Sequence, residues 1–436
     1  MKQTVSDRSK FGNLFWLNII TLLIMLASWG LDYLLQVYVG RNLGAEDYGD
    51  YAVAISATIL ISYLCGLGAE DTVPRFLQTY QSKGQFARMV GFLRAYLVAI
   101  LLFSAVISMG WMCFIGVMGH DRINHPLEII WWLIPLLSVA EFFFITLTNF
   151  GRPLLSASIH QLVLPLLTLG GVFLFATEGG PLTDYRAVIA HVIAAAFVLP
   201  LLLALILRIF PRETWMLNPT YEWRLWVITA IPMLVSILAY YALGQVDLYA
   251  MEQVGAEKDV GIMAACIKIS DFVYLTFSAA YLILSPHIST LVENGQIKEL
   301  RRQVRTAIRS ILILSTVVAT VIVLLGRTIL GWFGDNFVNG YWPMLVLVIV
   351  NIPQSAMTLA WPLLSLSGHE RIPLPGFLIA VAFLYVTSLM IIPYFGIMGT
   401  LICKAVTCML LFGWLAIELR RRVGVGIWEV FRLPLR

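Results

Sequence analysis

Apolar runs separated by short polar segments set the rhythm of this chain. Twelve runs reach the roughly 20 residues that a membrane-crossing helix needs. They cover residues 11–39, 47–67, 87–118, 127–149, 153–176, 185–209, 224–252, 259–285, 304–325, 341–366, 373–393 and 396–419. The pattern predicts an all-α polytopic membrane protein with about 12 transmembrane helices. The first run follows the polar tail Met1 to Lys10. It is too long for a signal-peptide core and lacks a small-x-small cleavage pattern, so it is expected to persist as a helix.

Composition agrees with that reading. Hydrophobic residues make up 60% of the 436 positions, charged residues 12%, and the mean hydropathy is +0.85. Soluble domains carry about 25% charge, so this chain has too little to cover a water-facing surface. The net charge of +4 matters less than its placement. With the N-terminus inside, about 22 Lys and Arg fall in or beside the inner loops, among them Arg8, Arg75, Arg88, Arg152, Arg212, Arg301 and Arg421. About five fall outside: Arg41, Arg122, Arg186, Lys258 and Arg327. Basic residues concentrate on the cytoplasmic side of membrane proteins, so both termini are expected in the cytoplasm. An odd number of spans would destroy the asymmetry.

The chain also repeats itself weakly. Leu43-Gly-Ala-Glu-Asp-Tyr-Gly49 returns as Val254-Gly-Ala-Glu-Lys-Asp-Val-Gly261. Pro74 with Gly84-Gln85 is echoed by Pro286 with Gly295-Gln296, and Asn149-Phe-Gly-Arg-Pro153 by Gly368-His-Glu-Arg-Ile-Pro373. The offset is close to half the chain, which predicts two six-helix halves of like orientation: 1–209 and 224–436, joined by a cytoplasmic linker at 210–223. Parallel repeats of this kind recur in transporters and place a site between the halves.

The segment Val39-Gly-Arg-Asn-Leu-Gly-Ala-Glu-Asp-Tyr-Gly-Asp-Tyr-Ala-Val-Ala54, with Gly66-Leu-Gly-Ala-Glu-Asp-Thr-Val-Pro-Arg-Phe76 after it, resembles polysaccharide (O-antigen-type) flippases. These belong to the multidrug/oligosaccharidyl-lipid/polysaccharide exporter (MOP) superfamily. The resemblance implies two six-helix bundles in a V around a central cavity, working by alternating access in the cell inner membrane. It implies a lipid-linked glycan, a polyprenyl-pyrophosphate sugar of lipopolysaccharide biosynthesis, as the molecule moved. Ion-coupled multidrug export, as in the related MATE group, is the alternative; lipid II flippases resemble fourteen-helix proteins.

Ionisable side chains at membrane depth are rare and face the bundle interior or water. Here they are Asp32, Glu141, Asp247, Lys268, Asp271 and Lys404, with His160 and His191 beside them. Asp247 and Lys268 lie at similar depths on successive helices, roughly 9 and 13 Å below the outer ends at 1.5 Å per residue. They read either as a salt bridge between helices or as a charged patch in the cavity. In the second case a lysine would meet a substrate phosphate and an aspartate would carry a coupling proton or sodium ion. Asp271 is three residues from Lys268, on the same helical face. Glu141, followed by Phe142-Phe143-Phe144, is too deep to snorkel; it is either protonated against a partner or facing water. The two histidines read as hydrogen-bonded core residues. The five cysteines all fall in apolar segments without metal-ligand spacing. There is no Walker A loop, HExxH or Gly-x-Ser-x-Gly. No enzyme activity, cofactor, metal or nucleic-acid partner is expected; membrane lipids are.

Overall fold

The computed structural model describes residues 2–118, 125–178, 180–209, 217–254, 257–293, 295–369 and 371–426. Arg122, Arg212, Glu370, and Gly255 and Ala256 of the second turn motif lie outside the described residues.

Among the described residues, eleven helices are long and apolar enough to cross a membrane. The last, Pro373–Val423, has 51 residues, about 76 Å of helix against a hydrocarbon core of about 30 Å. It is interrupted at Gly396, whose φ of 53° and ψ of −141° are open to glycine alone. Pro373–Val423 is therefore two consecutive spans joined at a kink, which accounts for the expected twelve.

Helices that begin at Ala45, Phe86, Ile130 and Pro153 recur with starts at Glu257, Ile297, Tyr341 and Pro373. The offsets are 212, 211, 211 and 220 residues, so the weak sequence repeat is a repeat of structure. By internal contacts the chain divides into a first unit, Met1–Leu43 with Asp50–Tyr241, and a second, Gly44–Gly49 with Ala242–Arg436. The division thus falls inside the helix Trp223–Gln253, and the turn Gly44–Gly49 goes with the second unit.

In the first unit, Ile130–Asn149 packs against Asp184–Ile209, Phe86–Met118 and Ala69–Ser82. Three consecutive phenylalanines, Phe142, Phe143 and Phe144, are all buried. Side chains that point in successive directions around a helix can all be buried only if neighbours surround it. They form one core with Phe76, Phe92 and Leu202. By contrast, the apolar window of Phe86–Gly116 is only 17% buried, against 61% for Ile130–Asn149. Leu102, Val106 and Met109 turn an apolar stripe outward, the arrangement that hydrocarbon contact requires. The end of the linker is fastened to the same unit. The Thr220 amide donates to the Ala87 carbonyl at 3.2 Å. Glu222 receives Arg88 Nε at 3.2 Å and the Tyr80 hydroxyl at 2.8 Å.

In the second unit the equivalent central helix is Tyr341–Thr358. It packs against Ile297–Phe333, Pro373–Val423 and Glu257–Ser270. A chain of hydroxyls crosses this core: Thr276 to Ser315 at 2.7 Å and Ser315 to Ser355 at 3.1 Å. Buried hydroxyls need such partners, because an unpaired one in an apolar medium costs several kcal/mol, roughly 2–7.

The second helix of each unit is broken, and a carboxylate stands at each break. The run expected at 47–67 ends at Cys65, and Ala69–Ser82 follows as a separate helix. The run expected at 259–285 stops at Ser270, passes through a 3-10 turn at Asp271–Val273 and restarts at Leu275. Asp271 therefore no longer shares a regular α-helical face with Lys268.

Candidate functional site

Glu70 is placed by the first break. Leu67 and Gly68 both have left-handed backbone angles, φ 52° and 74°, so the helix cannot continue through them. A Cβ on Gly68 would lie 3.0 Å from both the Ala230 carbonyl oxygen and the Leu234 amide. The Tyr96 hydroxyl donates to the carbonyl that the break leaves free on Leu67. The chain then starts a new helix with Glu70 and Asp71 in its first turn, where the helix dipole favours negative charge.

Glu141 lies eleven residues along Ile130–Asn149, about 16 Å from its start. Its Oε1 is 3.1 Å from His160 Nε2. His160 sits in the π-helical turn Ile159–Val163, a widened turn that often marks functional positions, and its ring stacks on Phe144 at 4.4 Å. Glu70 interacts electrostatically with Glu141, Asp71 and His160. Beside the carboxylates, the Tyr63 hydroxyl donates to the Tyr241 hydroxyl at 2.8 Å, and the two rings stack at 4.0 Å. Tyr63, Glu70, Ser138, Glu141 and Phe142 line a small, partly open pocket.

A second group in this unit surrounds Asp32. Gln36 Nε2 is 3.5 Å from Asp32 Oδ1, and Asp32 interacts with the buried Tyr51. The Tyr51 hydroxyl lies 3.5 Å from His191 Nε2, while His191 Nδ1 is 3.1 Å from the Ala187 carbonyl. A carbonyl only accepts, so Nδ1 carries a proton, and Nε2 faces the Tyr51 hydroxyl.

In the second unit, Asp247 is fully buried and Lys404 Nζ lies 2.9 Å from its Oδ2. The same Nζ donates to the Gly244 carbonyl at 2.9 Å. At 2.9 Å the Lys404 ammonium and the Asp247 carboxylate are in direct ionic contact. Asp271 lies within electrostatic reach of Lys404. Lys268 and Asp271 each have partners of their own.

Of the six residues singled out in the sequence, Asp247 and Lys404 are thus in contact, with Asp271 near. Sequence depth placed Lys268 beside Asp247; the contact seen at Asp247 is with Lys404, 157 positions away. Glu141 meets His160 and also lines the partly open pocket. Asp32 stands in its own group. Glu70 was missed, although Gly66-Leu67-Gly68 before two acids is the signature of a helix stop followed by a new N-terminus.

A family model, "Polysaccharide biosynthesis protein", matches residues 15–292, which is 278 of the 436 positions. The chain belongs to this family. A comparison of the sequence with curated proteins gives no match. The fold is similar to that of MATE transporters. An inward-facing multidrug-resistance MATE family transporter of the MOP superfamily superimposes with a TM-score of 0.73 at 14% identity, over 93% of this chain and 98% of that one. A variant of the Vibrio cholerae MATE transporter VcmN gives 0.65 at 16% identity, over 97% and 99%. The MATE multidrug transporter DinF-BH, in a ligand complex, gives 0.64 at 18%, over 96% of each chain. Family and fold together make this a multi-pass membrane protein of the MOP exporter superfamily, with the fold read in the sequence.

Proposed function

We propose that this protein carries a lipid-linked oligosaccharide or polysaccharide precursor from the cytoplasmic to the outer leaflet of the cell inner membrane. The observation that carries the reading is a polysaccharide-biosynthesis sequence on a transporter fold. The physical problem is desolvation: a sugar head bears many hydroxyls, and each one buried in hydrocarbon without a partner costs several kcal/mol, roughly 4–8. A protein interior with polar side chains at membrane depth, such as Glu70, Glu141 and Lys404, removes much of that cost while the lipid tail stays in the bilayer. Lys404 would meet the phosphate as a point charge once Asp247 releases it. On this reading the chain catalyses no covalent chemistry and holds no cofactor; alternating access is driven by an ion gradient or by consumption of the glycan outside.

The test is depletion of the protein while surface glycan is followed with a lectin or a periplasmic ligase. Lipid-linked glycan is expected to accumulate inside and disappear outside. The MATE-like fold and the carboxylate-lined pocket favour one competitor, export of cationic drugs. Unchanged surface glycan without a redundant exporter, together with accumulation of a cationic dye, would decide for it.

The reading also fixes an orientation, with both termini in the cytoplasm. On a cysteine-free background, a single cysteine at position 258 is expected to react with an impermeant thiol reagent in intact cells. One at position 212 is expected to react only after lysis. Strong labelling at 212 in intact cells overturns the orientation.

A further inference from the structure

We propose that Glu70, Glu141 and His160 form a proton-binding site that links protonation to the break in the second helix. The site goes beyond the glycan reading and rests on it only for its use, since proton binding is measured without substrate. Three titratable side chains come from three elements: the helix Ala69–Ser82, the helix Ile130–Asn149 and the turn Ile159–Val163. Two carboxylates on one pocket at membrane depth repel each other, and a like charge nearby strongly disfavours full ionisation. His160, 3.1 Å from Glu141, compensates one negative charge and leaves the other. With both glutamates ionised and the imidazole protonated, the three groups carry one net negative charge. A single proton, taken up on a carboxylate oxygen as COO⁻ becomes COOH, makes them neutral.

The surroundings favour a proton over a metal cation. Hard cations take six or more oxygen ligands, whereas here an imidazole nitrogen occupies the face of Glu141. The Tyr63 hydroxyl stands within hydrogen-bond reach of both Glu70 and Tyr241, so it is already engaged by side chains. The other titratable groups facing the pair are Asp71 on the Glu70 helix and the Tyr63 and Tyr241 hydroxyls. Two of the three side chains hang on places where the regular helical ladder is already interrupted. Glu70 follows the left-handed residues Leu67 and Gly68, and His160 lies in the π-turn. A change of charge between them can therefore shift one segment against the other without breaking an intact helix. Glu141, on the packed central helix, is the fixed point.

The test is infrared difference spectroscopy of the purified full-length protein in lipid, taken between mildly alkaline and mildly acidic buffer. A protonated-carboxyl C=O band is expected to appear on acidification, to shift in heavy water, and to be lost in both Glu70→Gln and Glu141→Gln. The conservative Glu70→Asp and Glu141→Asp variants should keep it, which separates loss of the group from loss of fold. In His160→Gln, which removes the positive neighbour, the band should persist into more alkaline buffer by about one to three pH units. A band unchanged in both glutamine variants overturns the assignment. So does a band that sodium titrates away at constant pH, which would make this a cation site. Failure of the glycan assay leaves all of these outcomes readable.

Discussion

Lys404→Ala is expected to be among the most damaging single changes inside this membrane protein. The substitution leaves Asp247, with no exposed side-chain surface, as a buried carboxylate without its countercharge. Removing one partner of a buried pair costs roughly 3–5 kcal/mol, whereas replacing both by apolar or neutral groups is often mild. In thermal unfolding of the detergent-solubilised protein, Lys404→Met and Asp247→Asn should each lower the midpoint sharply, and the double variant should recover much of the loss. A coupling energy of at least about 2 kcal/mol is expected from the cycle; additivity within about 0.5 kcal/mol means that the two side chains do not interact. Run with Lys268 in place of Lys404, the same cycle measures which lysine neutralises Asp247, and the 2.9 Å contact predicts the larger coupling for Lys404. Transport assayed on the same variants separates two roles. A purely structural pair leaves the double variant active; a pair that opens to receive phosphate leaves it folded and inactive.

The pairing of Asp247 shows where sequence reasoning stops. Depth follows from counting residues along a helix, and it brings Asp247 level with Lys268 and Lys404 alike. Rotation about the helix axis does not follow, because spans apolar all round carry no polar face to fix it. The helix Trp223–Gln253 has several neighbours, and only the fold decides which one Asp247 meets. The hairpin holding Glu141 and His160 is the instructive contrast. Glu141 is eight residues from Asn149 and His160 seven from Pro153, so the depth argument applied to Asp247 would have paired them. Glu70 escaped for a different reason. Its Gly-Leu-Gly-Ala-Glu-Asp setting reads as an interfacial turn, and hydropathy does not mark a helix that breaks and restarts without leaving the protein. The number of spans was legible because it depends on apolar run length, which the bilayer thickness dictates, and the half-chain offset because the turn motifs between the runs repeat in order.

Gly261→Val is expected to abolish the folded protein, and Gly261→Ala to weaken it severely. A Cβ at Gly261 would stand 1.7 Å from the Ala45 carbonyl oxygen, 2.8 Å from its carbon and 3.0 Å from the Gly49 amide nitrogen. These are backbone atoms, which cannot swing aside as a side chain can, so the helices themselves would have to separate. Overpacking a core ordinarily costs about 1–3 kcal/mol and occasionally more; backbone contacts this close belong at or beyond the upper end. The position gives the internal repeat a physical meaning. Ala45 and Gly49 belong to the first copy of the turn motif, Leu43–Gly49, and Gly261 closes the second. The two copies pack backbone on backbone, and in the second copy the glycine answers to that approach, not to a turn angle. Gly170→Ala is the control: it lies in the helix Leu164–Glu178 with nothing within 4 Å of its Cβ position. There, replacing glycine inside a helix should be neutral or stabilising by about 0.5–1 kcal/mol. The two variants are compared by size-exclusion profile and thermal midpoint of the full chain in detergent. A Gly261→Val protein as monodisperse and stable as the parent would mean that the two turn motifs do not meet in this way.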